Sequence, residues 1–572
     1  MAPQPKAEHV EQDHHGNPIT LAGSDTLVID DQTMRLLAER MPDLDRALEG
    51  AQRATDFEHD MTPAQAWKMY PKAIMFSMSI SVAIIMEGYD LTLIASFFAY
   101  KSFQDKFGVL VESGPSAGEH QVTPNWQAGL QNGAQVGEIL GLMLAGYLAD
   151  RFGYKKTLLG CLFMIICTIF LQFFAQNVQM LLAGEILCGL PWGAFQTLTT
   201  TYAAEVSPIA LRPYLTTWVN LCWGFGSIIA TGVLRGLLGR TDQWSWRIPY
   251  AIQWVWPIPV IIGVIIAPES PWWLVRKGRV DEARRALAKL ASKHSEAANH
   301  IDDTLDLIKV TNEHENLVNS GGNYQDCFKG TNLRRTEIVC GVWIAQVLCG
   351  IAFSTNIAYF MEQAGLPDTT AFDFGLGLVG LGITGTLCFW LIMPYIGRRT
   401  LYVWGMAGML TILLIVGFLG IPAKNTSIAY ASGALLLINV FIYDITVGPA
   451  CYCLVAELPS TRLRVKSVVL ARNCYNIIGI AGNFLQAPIL NPLGWNLRGK
   501  GAFIWASLCF LTLIWVYFRL PEPKGRSPAE LDLMFENHVP AREFSKTKVD
   551  PFNSSVEVRV GVEQEKFKED KL

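Results

Sequence analysis

Apolar residues in this chain fall into long blocks separated by short polar breaks. The blocks run for roughly 18 to 25 positions, the length an α-helix needs to cross about 30 Å of hydrocarbon. Twelve spans are predicted: 72–99, 125–149, 157–175, 179–203, 214–238, 246–267, 335–361, 372–393, 400–420, 428–454, 466–490 and 501–519. The sixth and seventh are separated by a polar insert in which Val280 to Leu290 repeats its apolar residues at helical spacing, predicting short amphipathic helices. The chain therefore divides into an N-terminal tail (1–70) expected to be largely disordered, a six-helix bundle (71–267), a linker (268–334), a second six-helix bundle (335–519) and a C-terminal tail (520–572). The expected fold class is an all-α membrane protein with twelve transmembrane helices in two pseudo-symmetric bundles.

Basic residues orient the spans. Arg151, Lys155 and Lys156 follow the second, Arg398 and Arg399 the eighth, and Arg464 and Lys466 the tenth; the linker is basic as well. By the positive-inside rule these segments and both tails are cytosolic. Residues 1 to about 65 contain no apolar core of a cleavable signal peptide, so the first span is expected to direct insertion. The sequon at Asn425 then falls outside, close to the membrane, and that at Asn553 inside.

Composition agrees with a non-aqueous solvent. Hydrophobic residues make up 51% of 572 positions and charged residues 17%, against about 25% charged in an ordinary soluble protein. A net charge of −4 offers no basic surface for nucleic acid. Eleven of the twelve cysteines lie inside apolar stretches and read as small buried hydrophobes. No nucleotide loop, metal cluster or nucleophile triad is visible, so no catalysis and no cofactor are expected beyond protons as a coupling ion.

The two halves repeat each other. Glu205 to Arg212 recurs as Glu457 to Arg464 with an offset of 252, Pro268-Glu269 as Pro521-Glu522 with 253, and Gly153-Tyr154-Lys155 as Gly397-Arg398-Arg399 with 244. Two related bundles in parallel imply a transporter whose halves rock about a site near the bilayer midplane.

Gly146-Tyr147-Leu148-Ala149-Asp150-Arg151-Phe152-Gly153-Tyr154-Lys155-Lys156 resembles the signature loop of the major facilitator superfamily. Pro268-Glu269-Ser270-Pro271-Trp272-Trp273-Leu274, Gly448-Pro449 with Glu457 and Arg464, and Pro521-Glu522-Pro523-Lys524-Gly525-Arg526 resemble its sugar porters over about residues 70 to 540. Glu87-Gly88-Tyr89-Asp90, Leu187 to Gly193, Leu470 to Asn476 and the tail Lys546 to Phe552 are similar to fungal maltose and general α-glucoside permeases. That resemblance implies a monomeric plasma-membrane symporter of a sugar, maltose first, with protons. Two positions depart from the wider pattern: Glu185 stands where many sugar porters have arginine, and Pro394 replaces the acid before Gly397.

Ionisable residues within spans point to the coupling chemistry, because a charge at the bilayer centre costs at least about 2.5 to 3.5 kcal/mol. They are Glu87, Asp90, Glu138, Glu185, Asp444 and Arg472. Glu87 and Asp90 are spaced i, i+3 on one helix face and are expected to titrate together as the proton acceptor, with Arg472 as counter-ion. A static ion pair is the competing account of each. One proton entering down about 100 mV supplies roughly 2.3 kcal/mol, and each pH unit roughly 1.4 kcal/mol. By resemblance to the porters' site, Asn220, Gln346 and Tyr452 are the sugar ligands, and Asn473 and Asn476 join them as polar residues within the eleventh span. Small residues Gly133, Gly137, Gly141 and Ala145, at four-residue steps, predict close helix packing. Asp150, Arg151, Glu205, Arg212, Glu457 and Arg464 are expected to form a cytosolic gate. A uniporter, a symporter of another sugar and a sugar sensor are the alternatives; the short C-terminal tail disfavours a sensor.

Overall fold

The structure, a computed structural model, describes residues 31–549 except 98–100, 111–119, 238–239, 241, 293–294, 319–322, 356, 358–359, 362–367, 422–425, 491–494 and 496. Both sequon asparagines, Asn425 and Asn553, the end of the 546–552 motif and the first 30 residues lie outside the described residues.

Among the described residues, ten helices are long and apolar enough to cross a membrane. We number them with two further long helices in chain order: α1 (Pro71–Ile94), α2 (Pro124–Phe152), α3 (Tyr154–Phe173), α4 (Val178–Val206), α5 (Arg212–Leu234), α6 (Trp244–Ile266), α7 (Gly330–Thr355), α8 (Phe374–Ile392), α9 (Arg398–Leu419), α10 (Ser427–Glu457), α11 (Arg464–Leu490) and α12 (Arg498–Arg519). The exceptions are α2 and α11. Both are more polar because they pack on each other across the seam between the halves, where Gln135, Glu138, Arg472 and Asn476 face a central cavity instead of lipid. Two short strands pair Val109 with Gln121 and Leu110 with His120 in an otherwise almost wholly helical structure.

Packing is pseudo-symmetric. In the first half α1 pairs with α5, α2 with α4 and α3 with α6; in the second α7 pairs with α11, α8 with α10 and α9 with α12. Between halves, α2 meets α11 and α5 meets α8, contacts related by the same symmetry. The predicted small-residue ladder explains the tight α2–α4 pair: a Cβ on Gly137 would fall 2.0 Å from the Ile186 carbonyl and one on Gly141 2.0 Å from that of Leu190. Only hydrogen fits there.

The sequence repeats find a common purpose at the linker side. Glu269 accepts from the backbone N–H groups of Tyr154 and Lys155 (3.0 and 3.2 Å), and Glu522 from those of Arg398 and Arg399 (2.9 and 3.0 Å). Each carboxylate thus caps the N-terminus of a helix, α3 or α9, where unpaired donors and the helix dipole favour negative charge. The preceding glycines admit it, since a Cβ would lie 2.6 Å from Glu269 at Gly153 and 2.0 Å from Glu522 at Gly397.

The N-terminal region corrects an expectation. Instead of being disordered, its described residues form helices Asp31–Arg40, Leu44–Asp60 and Pro63–Met69. Leu37, Leu44, Ala47, Leu48, Ala51 and Ala54 bury an apolar stripe against Leu307 and Val310 of linker helix Ile301–Val318 and against Ala529 and Leu533 of helix Pro528–Glu536. Burial against these partners, rather than local propensity, orders such a polar stretch. The linker also forms the expected amphipathic helix, Val280–Leu290.

Candidate functional site: a central cavity and two carboxyl pairs

A cavity of about 410 Å³ lies between the halves, lined by residues of α1, α2, α5, α7, α8, α10 and α11. That volume falls in the range of small-molecule sites. Of the predicted sugar ligands, Asn220, Gln346, Tyr452 and Asn476 line it; Asn473 does not, because one residue along α11 turns it about 100° away from Arg472. Trp223, Tyr443, Tyr475, Gln135, Ser227 and Thr386 also line it and were not legible in the sequence. Aromatic and hydroxyl residues are common in spans, and nothing in their spacing marks them. Asn220 donates to Thr386 Oγ1 across the halves at 3.1 Å, and Gln346 donates to the Gly448 carbonyl at 3.2 Å. Asp444 stands in the same wall within reach of Asn220, and Gly382 and Gly385 of α8 make room for it.

The other four acids within the spans form two separate pairs. Glu87 of α1 lies within hydrogen-bond reach of Glu138 of α2, and Asp90 of α1 within reach of Glu185 of α4. All four are at most 2% exposed. The expected Glu87–Asp90 pairing is therefore corrected. The two residues share a broad helix face, but α2 and α4 divide it, and each acid finds a different partner. Each carboxyl leaves one oxygen without a donor. Two carboxyls sharing a hydrogen bond are satisfied when one carries the proton.

The cavity-side pair connects to Arg472 through Gln196. The amide nitrogen of Gln196 donates to Glu87, and its oxygen accepts from Arg472 Nε at 2.7 Å. Glu138 accepts from Asn476 Nδ2 at 3.1 Å. Arg472 makes no direct ion pair among the described residues; its guanidinium sits 4.5 Å from the Trp343 ring centre and 4.3 Å from that of Tyr475. The expectation of a direct counter-ion is thus replaced by an amide relay, with the cation held on aromatic faces. Gln196 escaped notice because a lone amide in a span carries no sequence signal.

The second pair is closed. Asp90 accepts from Gln253 of α6, and Glu185 accepts from Gln172 at 2.9 Å and from the Tyr250 hydroxyl at 3.4 Å. Neither acid lines the central cavity, and no cation pairs with them among the described residues. Glu185 is fully buried among these polar groups.

At the linker side five of the six predicted gate residues gather. Asp150 pairs with Lys466 across the halves. Glu205 pairs with Arg276 at 3.4 Å and accepts from Ser270, while Glu457 pairs with Arg398 at 3.4 Å. Arg212 and Arg464 are buried without an ion pair to the acids seven residues before them. Arg151 lies outside the cluster, exposed, donating to the Tyr147 hydroxyl at 3.1 Å. Tyr214, the counterpart of Lys466 at the offset of 252, meets Trp390, one turn before Pro394, edge-on at 6.0 Å, so one crossing is ionic and the other aromatic. Arg276 also donates to the Thr461 carbonyl at 3.1 Å and Tyr324 to that of Met143 at 2.8 Å, closing this side beneath the cavity.

Known proteins share this architecture. The family described as "Sugar (and other) transporter" matches residues 76–535. Maltose permease MAL31 of Saccharomyces cerevisiae is 40% identical over 537 residues, 93% of this chain and 87% of its own length. The general alpha-glucoside permease of the same species is 40% identical over 511 residues, 88% of this chain and 82% of its own. The proton:xylose symporter XylE, in its structure with 6-bromo-6-deoxy-D-glucose, has the same fold, with a TM-score of 0.70 at 19% identity over 81% of this chain and 99% of that one. A helical repeat with a cavity at its seam, matched by the family over residues 76–535 and by a maltose permease over 93% of the chain, makes this chain a member of the sugar transporter family.

Proposed function

We propose that the chain carries an α-glucoside, maltose first, together with a proton across the plasma membrane by alternating access. The observation that carries this reading is the central cavity. Amides and aromatic rings from both halves meet there, beside a carboxyl pair tied to a single arginine. Aromatic faces stack on the C–H surface of a sugar ring, and amides bind its hydroxyls. The similarity to a maltose permease and an α-glucoside permease supports the substrate class, and the carboxyls favour coupling over passive carriage.

In this reading all twelve long helices cross the bilayer, in halves 71–267 and 335–519, with the linker 268–334 and both tails cytosolic. One chain builds the whole cavity, so a monomer suffices. Glu138 and Glu87 hold the transported proton, and Arg472, through Gln196, favours its release. Asp90, Glu185 and Asp444 serve as further protonatable groups. Asn220, Gln346, Tyr452 and Asn476 bind the sugar, with Asn473 supporting α11. The cluster of Asp150, Glu205, Arg212, Glu457 and Arg464 with their partners forms the cytosolic gate, and exposed Arg151 is left out of it.

The test is uptake by purified protein in liposomes with an internal pH probe, comparing maltose, trehalose, sucrose and glucose. Maltose-driven acidification is expected. Maltose flux without acidification removes the symport reading, and flux of other sugars without maltose removes the substrate.

A further inference from the structure

The apolar outer face of α12 runs into a basic pocket at its linker-side end. Phe510, Leu511, Ile514 and Phe518 share that face and are 43% to 62% exposed, as side chains turned to lipid are. The next residue, Arg519, lines a cavity of about 410 Å³ together with Arg334 of α7 and with His538 and Arg542, which follow helix Pro528–Glu536. Among the described residues no acid lines this cavity. Its volume is that of a small-molecule site.

The cations differ in how far they are already satisfied. Arg519 is paired with Glu337 through two N–H groups, so its charge is answered. Arg334 is held in place without a carboxylate: it donates to the Val539 carbonyl at 2.8 Å and lies 5.4 and 5.8 Å from the ring centres of Phe535 and Phe544. Arg542 is exposed and stands 5.8 Å from the ring centre of Phe518, with no ion pair among the described residues. His538 adopts a left-handed backbone, with φ 52°, at the end of its helix. Glycine is the usual residue at such a helix end, and here an imidazole faces the cavity in its place.

We propose that Arg334, His538 and Arg542 bind the headgroup of a phosphorylated inositol lipid from the linker-side leaflet. Guanidinium forks match phosphate oxygens, and arginines clustered beside a span attract anionic lipid. Two arginines without a carboxylate partner suit a phosphomonoester, which carries about −1.5 to −2 charges at pH 7, better than the single charge of a diester. A bare phosphate would leave most of the cavity empty, whereas a ring with its phosphate fills it. Phe518 selects a lipid over a soluble anion, because it joins the pocket to the lipid-facing stripe along which acyl chains would lie. The inference rests on α7 and α12 crossing the bilayer, and not on the sugar or the proton.

The test measures binding of dioctanoyl phosphatidylinositol phosphate to the full chain in neutral detergent. Arg542→Gln is expected to weaken binding about tenfold, the weight of a hydrogen bond to a charged group, and its exposure keeps the fold intact. Arg334→Gln should weaken it at least as much. Arg284→Gln, which breaks an exposed pair with Asp302 elsewhere on the linker side, leaves binding unchanged. Dioctanoyl phosphatidylserine and soluble inositol bisphosphate should each bind at least about tenfold more weakly than the phosphorylated lipid. Equal binding of the serine lipid overturns the choice of headgroup, and equal binding of the bisphosphate overturns a lipid source. No binding, or an Arg542→Gln variant that binds as well as the parent, overturns the site. A chain that alkaline carbonate strips from liposomes overturns the crossing of α7 and α12 itself.

Discussion

Glu87 and Asp90 stand three residues apart on one helix, yet they inhabit different chemistry. Glu87 meets Glu138 at the edge of a cavity and is joined to Arg472 through one amide. Asp90 meets Glu185 among Gln172, Gln253 and Tyr250, with no cation paired to it among the described residues. Burial is equal and composition nearly so. What differs is access to the seam and a group that answers to movement of the other half, because Arg472 belongs to α11 and the acids to the first half. A proton held by Glu87 and Glu138 can therefore respond to rocking, whereas one held by Asp90 and Glu185 stays within a single bundle.

The sharpest break of this contrast is Glu138→Gln. Accumulation driven by about 100 mV should collapse by about 50-fold, to simple equilibration, while exchange of internal for external sugar persists; accumulation that survives removes the cavity pair from coupling. Gln196→Leu severs the relay but keeps both acids. A loss of about tenfold in accumulation is expected, from one hydrogen bond to a charged group, measured by the same uptake assay. Asp90→Asn should fall at the opposite end. An amide supplies the donor that Glu185 otherwise obtains from a shared proton, so accumulation should stay within about threefold and thermal stability in detergent within about 1 kcal/mol. If Asp90→Asn uncouples as completely as Glu138→Gln, the two pairs act as one.

A buried carboxylate outside the membrane gives the smallest and most easily titrated effect. Burial, and then the charge of Asp532, push Glu315 up to about 7, opposed by its bonds to Thr461 and by Arg335; Arg276 also faces it, and Arg462 lends it a backbone N–H. Its value when released into water is the ordinary one near 4.5. The folded state thus binds the proton more tightly, and its stability falls as pH rises between these two values and levels off above about 7. Thermal stability in detergent should fall from about pH 5.5 to about 7.5, and Glu315→Gln should flatten that slope.

Much of the architecture is present in the chain itself. Hydrophobic blocks of membrane length, the offset near 250 and the four-residue ladder of α2 specify helices, halves and one close contact, because each depends on local spacing and on the solvent. The acids, too, announce themselves, since a charge within a span is costly enough to stand out. Pairing does not follow from spacing. Whether Glu87 faces Asp90 or Glu138, whether Glu205 takes Arg212 or Arg276, and whether Gln196 lies idle or bridges a cation depend on how helices distant in sequence are rotated against one another. A few tens of degrees about a helix axis exchanges one partner for another at no cost visible in the sequence. The order of residues 31–69 has the same origin, for their apolar stripe is stable only where the linker and C-terminal helices offer it a surface. Sequence determined what this protein is made of and what class of work it does; the tertiary fold alone decided which proton-bearing groups touch the path between its halves.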